Sequence, residues 1–143
     1  MMRKGLLHGA PVVLCFLAVV SWSWGAEEKG VGNGTKGPVL VRGVMCETIE
    51  DYVPKNIAAV FSIGVGKISC YTSFDHLTDT TYVVHKWYRH DELITTKRLT
   101  LKPPSWSTYS SIQLREADKG PWRVEVWNAE DHLLKVLRFS VAD

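Results

Sequence analysis

The stretch Thr81-Tyr82-Val83-Val84-His85-Lys86-Trp87-Tyr88-Arg89-His90 decides the fold class, because it is the densest run of β-forming and aromatic residues in the chain. Successive side chains of a strand point to opposite faces. Val83, His85 and Trp87 therefore share one face, and Tyr82, Val84, Lys86 and Tyr88 the other. Both faces carry bulk, as expected of a central strand in a sandwich. The face with Val83 and Trp87 is expected to form the core, since its one polar member is a histidine. Lys86 is expected to lie outward along the tyrosine side, its stem against apolar surface.

Outward from this stretch the chain keeps the same two-residue period. His90-Asp91-Glu92 reads as a turn into Leu93 to Leu101, whose threonines favour strand, so these two strands should pair. Pro103-Pro104-Ser105 breaks the pattern, and Trp106 to Leu114 follows as a strand rich in Ser and Thr. Glu116 to Gly120 is a turn. Trp122, Val124 and Val126 then alternate with Arg123, Glu125 and Trp127, Asn128 to His132 turns the chain, and Leu133 to Val141 returns. On the N-terminal side, Lys67 to Phe74 is a strand with Ile68, Cys70 and Thr72 on one face. Val39 to Ile49 opens the domain, Asp51 to Asn56 with Pro54 reads as a turn or crossover, and Ala58 to Ile63 fits a strand or a helical turn equally. Seven short strands at intervals of about ten residues, without a long helical pattern, predict an all-β fold. It is an antiparallel β-sandwich of immunoglobulin-like type.

Ahead of that domain, residues 1–25 run from a basic start (Arg3, Lys4) through an apolar stretch (Leu6 to Val20) to Ser23-Trp24-Gly25, the order of a secretory signal peptide cleaved near Gly25. Pro11 interrupts the segment, and its unbroken apolar part is shorter than the roughly 20 residues that span a bilayer. Retention as an anchor is the rival reading, and it would be the one contact with a membrane. Residues 26–38, with four glycines and almost nothing to bury, predict a flexible tether. Residues 39–143 form the domain. The resulting expectation is a periplasmic or secreted protein.

Charge narrows the function classes. Arg3 and Lys4 account for two of the 17 basic residues, leaving 15 against 15 acidic ones, so the exported part is formally neutral. With no basic block and no nucleic-acid motif, nucleic-acid binding has no support. The glycines do not lead into a phosphate-loop ending and no cofactor is implied.

Cys46-Glu47, Lys67-Ile68-Ser69-Cys70-Tyr71-Thr72, His85-Lys86-Trp87-Tyr88, Trp106-Ser107-Thr108-Tyr109-Ser110-Ser111, and Gly120-Pro121-Trp122-Arg123-Val124-Glu125-Val126 followed by Phe139-Ser140-Val141 together resemble the bacterial domain-of-unknown-function family numbered 2914. The resemblance covers roughly residues 40–142. It implies a small extracytoplasmic or membrane-tethered domain and carries no activity and no catalytic residues. Tyr109 stands where that pattern leads one to expect Trp.

Among residues with chemistry, Cys46 and Cys70 are the two cysteines left after removal of the signal, and in an oxidising compartment an even pair predicts a disulfide. Two buried free thiols are the alternative. His76, His85, His90 and Asp91 have no standard metal-ligand spacing, so no metal is expected. Ser105, Ser107, Ser110 and Ser111 fit the solvated face of a strand, and no nucleophile elbow accompanies them, so no catalytic residue is assigned and the domain is read as no enzyme. Binding through aromatics is the favoured chemistry, with Trp127, Arg123, His85, Trp87 and Trp106 as candidate contacts to a protein or glycan partner of the cell envelope. Trp87 and Trp122 also fit core positions, whereas Trp127 shares a face with Arg123 and Glu125 and is expected to be exposed. Two other readings stand beside a binding module: a purely structural accessory domain of an envelope assembly, and an aromatic-platform carbohydrate-binding module.

Overall fold

The computed structural model describes residues 37–143; the expected signal peptide and all but the last two residues of the expected tether lie outside the described residues. Nine strands follow one another: β1 (Val39–Glu50), β2 (Val53–Ile57), β3 (Val60–Ser62), β4 (Lys67–Asp75), β5 (Thr81–Arg89), β6 (Glu92–Leu101), β7 (Trp106–Gln113), β8 (Gly120–Asn128) and β9 (Leu133–Ala142). They form two sheets, a four-stranded one in the order β2-β1-β4-β7 and a five-stranded one in the order β3-β9-β8-β5-β6. The expected sandwich is therefore present. All seven expected strands occur, and β2 and β3 are additional.

Both additions arise where periodicity was weakest. Asp51 and Tyr52 adopt positive φ of 49° and 60° and close a two-residue hairpin that pairs Glu50 with Val53, so the expected turn or crossover over 51–56 is a tight turn and an edge strand. Pro54 is tolerated there because an edge strand leaves one row of backbone groups without ladder partners. The apolar run at 58–63 splits into β3 and a short 3-10 turn over Ile63–Val65. β3 runs parallel to β9, which makes the five-stranded sheet mixed. β5, read as the central strand, lies between β8 and the edge strand β6, and β8 holds the middle.

The two sheets bury the faces expected of them. Met45, Ile68 and Cys70 from the first sheet meet Trp87, Trp122, Val124, Phe139 and Val141 from the second, with Phe61 of β3 joining them. Phe139 is the hub, with its ring stacked on Trp122 and set edge-on to Phe61 and Trp87 at centroid distances near 6 Å. Such pairs stabilise by about 1 kcal/mol each beyond their burial. A second apolar cluster, Phe74, Leu77, Val83, Leu101 and Val126, fills the other end. Between the two along β4 and β5 sit Thr72 and His85, both fully buried, with Ser110 of β7 beside them. The core is thus two apolar compartments divided by a polar layer.

The expected Cys46–Cys70 disulfide is corrected. Both cysteines are free and buried. Cys46 registers with Ser69 across β1 and β4, whereas Cys70 registers with Met45. Directly paired residues share a face and successive ones alternate, so the two thiols leave adjacent strands on opposite faces and their Cβ vectors diverge. Burial raises the Cys46 thiol pKa and raises that of Cys70 further, so both behave as small apolar side chains.

Candidate functional site

Of the five expected contact residues, two are withdrawn into the core. His85 and Trp87 are fully buried and no ligand reaches them without opening the sandwich. His85 Nε2 lies 3.1 Å from Thr72 Oγ1 and Nδ1 lies 2.8 Å from Ser110 Oγ, which also accepts from Trp87 Nε1 at 3.0 Å. Either neutral tautomer sets one N–H and one lone pair against the two hydroxyls. Burial disfavours the imidazolium and pushes the pKa down to about 4. Ser110, read as part of a solvated face, turns inward to complete this layer.

Trp106 is the second departure. It stands on β7, at the edge of the other sheet, with Lys102 over its ring at 5.7 Å. It is not brought together with Trp127 and Arg123.

Those two do meet, on the outer face of the five-stranded sheet. The alternation that sends Val83, His85 and Trp87 inward sends Tyr82, Val84, Lys86 and Tyr88 outward. Register then places Trp127, Glu125 and Arg123 of β8 opposite Val84, Lys86 and Tyr88. On the other flank β6 sets Arg98 opposite Val84. Each of the three rings on this face carries a cation: Arg98 lies 3.5 Å from the Tyr82 centroid, Lys86 Nζ 4.5 Å from that of Trp127, and Arg123 4.1 Å from that of Tyr88. Trp127 is half-buried rather than exposed, because Lys86 lies on its ring and its Nε1 donates to Glu125 Oε2 at 3.0 Å.

Glu125 organises the centre of the face. Its Oε1 accepts from Arg123 Nε at 3.0 Å. Burial pushes its pKa up, but the hydrogen bonds from Arg123 and Trp127 outweigh that effect and leave the carboxyl below its ordinary value. Arg123 also pairs with Asp91, one of two residues in the β5–β6 turn. His90 and Asp91 there have φ of 46° and 65°, the two positive values that a primed hairpin turn demands, and non-glycine residues adopt them at some strain.

Where this face meets that turn, Tyr88, His90, Asp91, Pro121, Trp122, Arg123 and Arg138 line a concave pocket of about 140 Å³. Arg138 of β9 pairs directly with Arg123 of β8 and has no ion-pair partner among the described residues. The ring of His90 packs on Gly120, where a Cβ would stand 2.8 Å from Nε2 at a φ of +112°, so a side chain there would displace the histidine. Among the described residues no group of three or more His, Cys, Asp or Glu is placed to hold a metal.

Tyr82, Lys86 and Tyr88 were legible as outward-facing residues of one strand. Their coupling to Arg98, Trp127, Arg123 and Arg138 was not, because it depends on which strands become neighbours. Outward positions at two-residue spacing in β6 and β9 were the only available signal.

The fold and this surface define a small β-sandwich domain whose outer sheet face presents aromatic rings covered by cations. Residues 80–141, from the start of β5 through β9, match the sequence model of the family described as "Protein of unknown function (DUF2914)", so the family that the motifs resemble is the one found over this stretch. The matched range holds the whole candidate surface and leaves β1–β4 outside it. No curated protein matches the chain. Among solved structures, the crystal structure of a beta-glucosidase from Listeria innocua in complex with glucose is similar at 11% identity and a TM-score of 0.43, covering 59% of this chain and 15% of that one.

Proposed function

We propose that the domain is a non-catalytic binding module of the bacterial cell envelope, exported by residues 1–25, and that it engages its ligand through the outer face of the five-stranded sheet. The observation that carries this reading is the set of three rings, Tyr82, Tyr88 and Trp127, each covered by a cation. Stacking and hydrogen bonding hold the charged groups flat against the sheet, which lowers the entropy lost when they meet a partner. Lys86, Arg98, Arg123 and Arg138 stand against Glu125 and the Asp91 of the adjoining turn, although the exported part is formally neutral. An acidic ligand suits that imbalance better than a neutral sugar, since the ring faces that would stack on a neutral sugar are occupied. The test is a titration of isotope-labelled domain with purified envelope glycans and envelope proteins. Shifts centred on Tyr82, Lys86, Tyr88 and Trp127 support the reading, and shifts confined to the other sheet overturn it.

A second reading, a structural accessory domain, draws on a different feature. Tyr52, Val53 and Ile57, on or beside the edge strand β2, are 67%, 47% and 48% exposed, and an apolar edge with free backbone groups suits strand-to-strand assembly with another protein. Charged substitutions at Val53 and Ile57 that release the domain from an envelope complex would favour it.

A further inference from the structure

We infer that the pocket between Arg123 and Arg138 is a subsite for a single carboxylate group of an acidic saccharide that lies across the outer face of the five-stranded sheet. This deepens the proposed function and rests on it for the face that the rest of the ligand covers. Three observations lead here. First, like charges directly opposite each other on neighbouring strands destabilise a sheet, yet Arg123 and Arg138 are such a pair. Asp91 and Glu125 engage Arg123, while Arg138 is exposed and without an ion-pair partner among the described residues. An anion received between them relieves the repulsion.

Second, Asp91 and Glu125 both engage Arg123, which leaves Arg138 as the lining group whose positive charge has no ion-pair partner among the described residues. One carboxylate balances it, and a planar guanidinium fork matches a carboxylate. A phosphate dianion would overshoot and crowd Asp91. Third, at about 140 Å³ the pocket is smaller than the roughly 300 Å³ at the low end of sites that enclose a whole small molecule, so it receives one group of a larger ligand. The pocket lies over β5, β8 and β9, and β5 and β8 are paired with neighbours on both sides. A peptide strand would find no free backbone donors there. A sugar ring needs only side-chain hydrogen bonds.

The experiment uses the exported protein, a galacturonate trisaccharide, and the methyl ester of that trisaccharide, which keeps the rings and removes the charge. Calorimetry is expected to show binding of the acid and none of the ester. Arg138→Gln should weaken binding about tenfold or more, and Arg138→Lys, which keeps charge but loses the fork, by less. Without ligand, Arg138→Gln should leave the melting temperature unchanged or higher, because it removes a like-charge pair. A lowered melting temperature would make Arg138 a structural partner and overturn the inference. Equal binding of acid and ester, or displacement of the acid by equimolar inorganic phosphate, would overturn the carboxylate assignment. Failure of the acid to bind while an unblocked pentapeptide binds and its amidated form does not would overturn the saccharide. If the acid fails but other envelope ligands still shift Tyr82 and Trp127, the subsite falls and the surface reading stands. If every ligand shifts only the first sheet, both fall.

Discussion

Cys46 and Cys70 occupy adjacent strands yet emerge on opposite faces of one sheet, Cys46 beside Ser69 and Cys70 beside Met45. The pair that invites a disulfide in the sequence is kept apart by the period of a β-strand. In the native protein both thiols should resist labelling and react after unfolding in denaturant. Reducing agent should leave the melting temperature unchanged. A mass lower by two hydrogens in the oxidised protein would contradict the register.

The His85 layer makes stability depend on pH with a definite sign. Its folded pKa, pushed down to about 4 by burial, lies below an unfolded value near 6.5. Between those two values the unfolded chain binds the extra proton, so stability is full above about 6.5 and declines toward 4, by roughly 3 kcal/mol in all if His85 acts alone. Denaturant melts at several pH values check this, and His85→Gln should flatten the slope. His85→Ala should cost about 1–3 kcal/mol through the hydroxyls left unpaired, and the amide of His85→Gln less.

Trp127 is tied into the face by its N–H bond to Glu125 and by Lys86. Trp127→Ala should therefore lower stability by about 1–2 kcal/mol, the sum of one net hydrogen bond and one cation–π contact. Trp127→Phe keeps a ring for Lys86 and should lose about 1 kcal/mol. Binding of an acidic ligand should weaken more in the alanine variant than in the phenylalanine variant. Equal affinities in both would remove Trp127 from the binding surface.

Asp118 is a structural anchor in the turn before β8. Its side chain accepts from Arg89 Nη1 at 2.9 Å and from the Arg115 backbone at 2.7 Å, while its carbonyl accepts from Trp122 Nε1 at 2.7 Å. Asp118→Ala strips the charge partner from Arg89 and should cost about 2–3 kcal/mol in a denaturant melt. Asp118→Asn, which can still accept, should cost less. Neither change should alter ligand binding on the opposite side of β8.

Alternation within single strands was enough to read the sandwich, the seven main strands, the inward set Val83, His85 and Trp87, and the outward set Tyr82, Lys86 and Tyr88. A side chain's face follows from its parity along the chain, a local property. β2 and β3 escaped because a proline and a six-residue apolar run carry no period long enough to count, and partners supplied by the neighbouring strands made them strands. The same dependence on neighbours decided the chemistry. Two cysteines became free thiols once register set them on opposite faces, Ser110 became a core hydroxyl because β7 crosses above His85, and Arg138 became half of a pocket because β9 pairs with β8. The sequence by itself determined which residues point the same way. Only tertiary structure decided which of them meet, since cross-strand distances of about 5 Å are set by pairing between segments far apart in the chain.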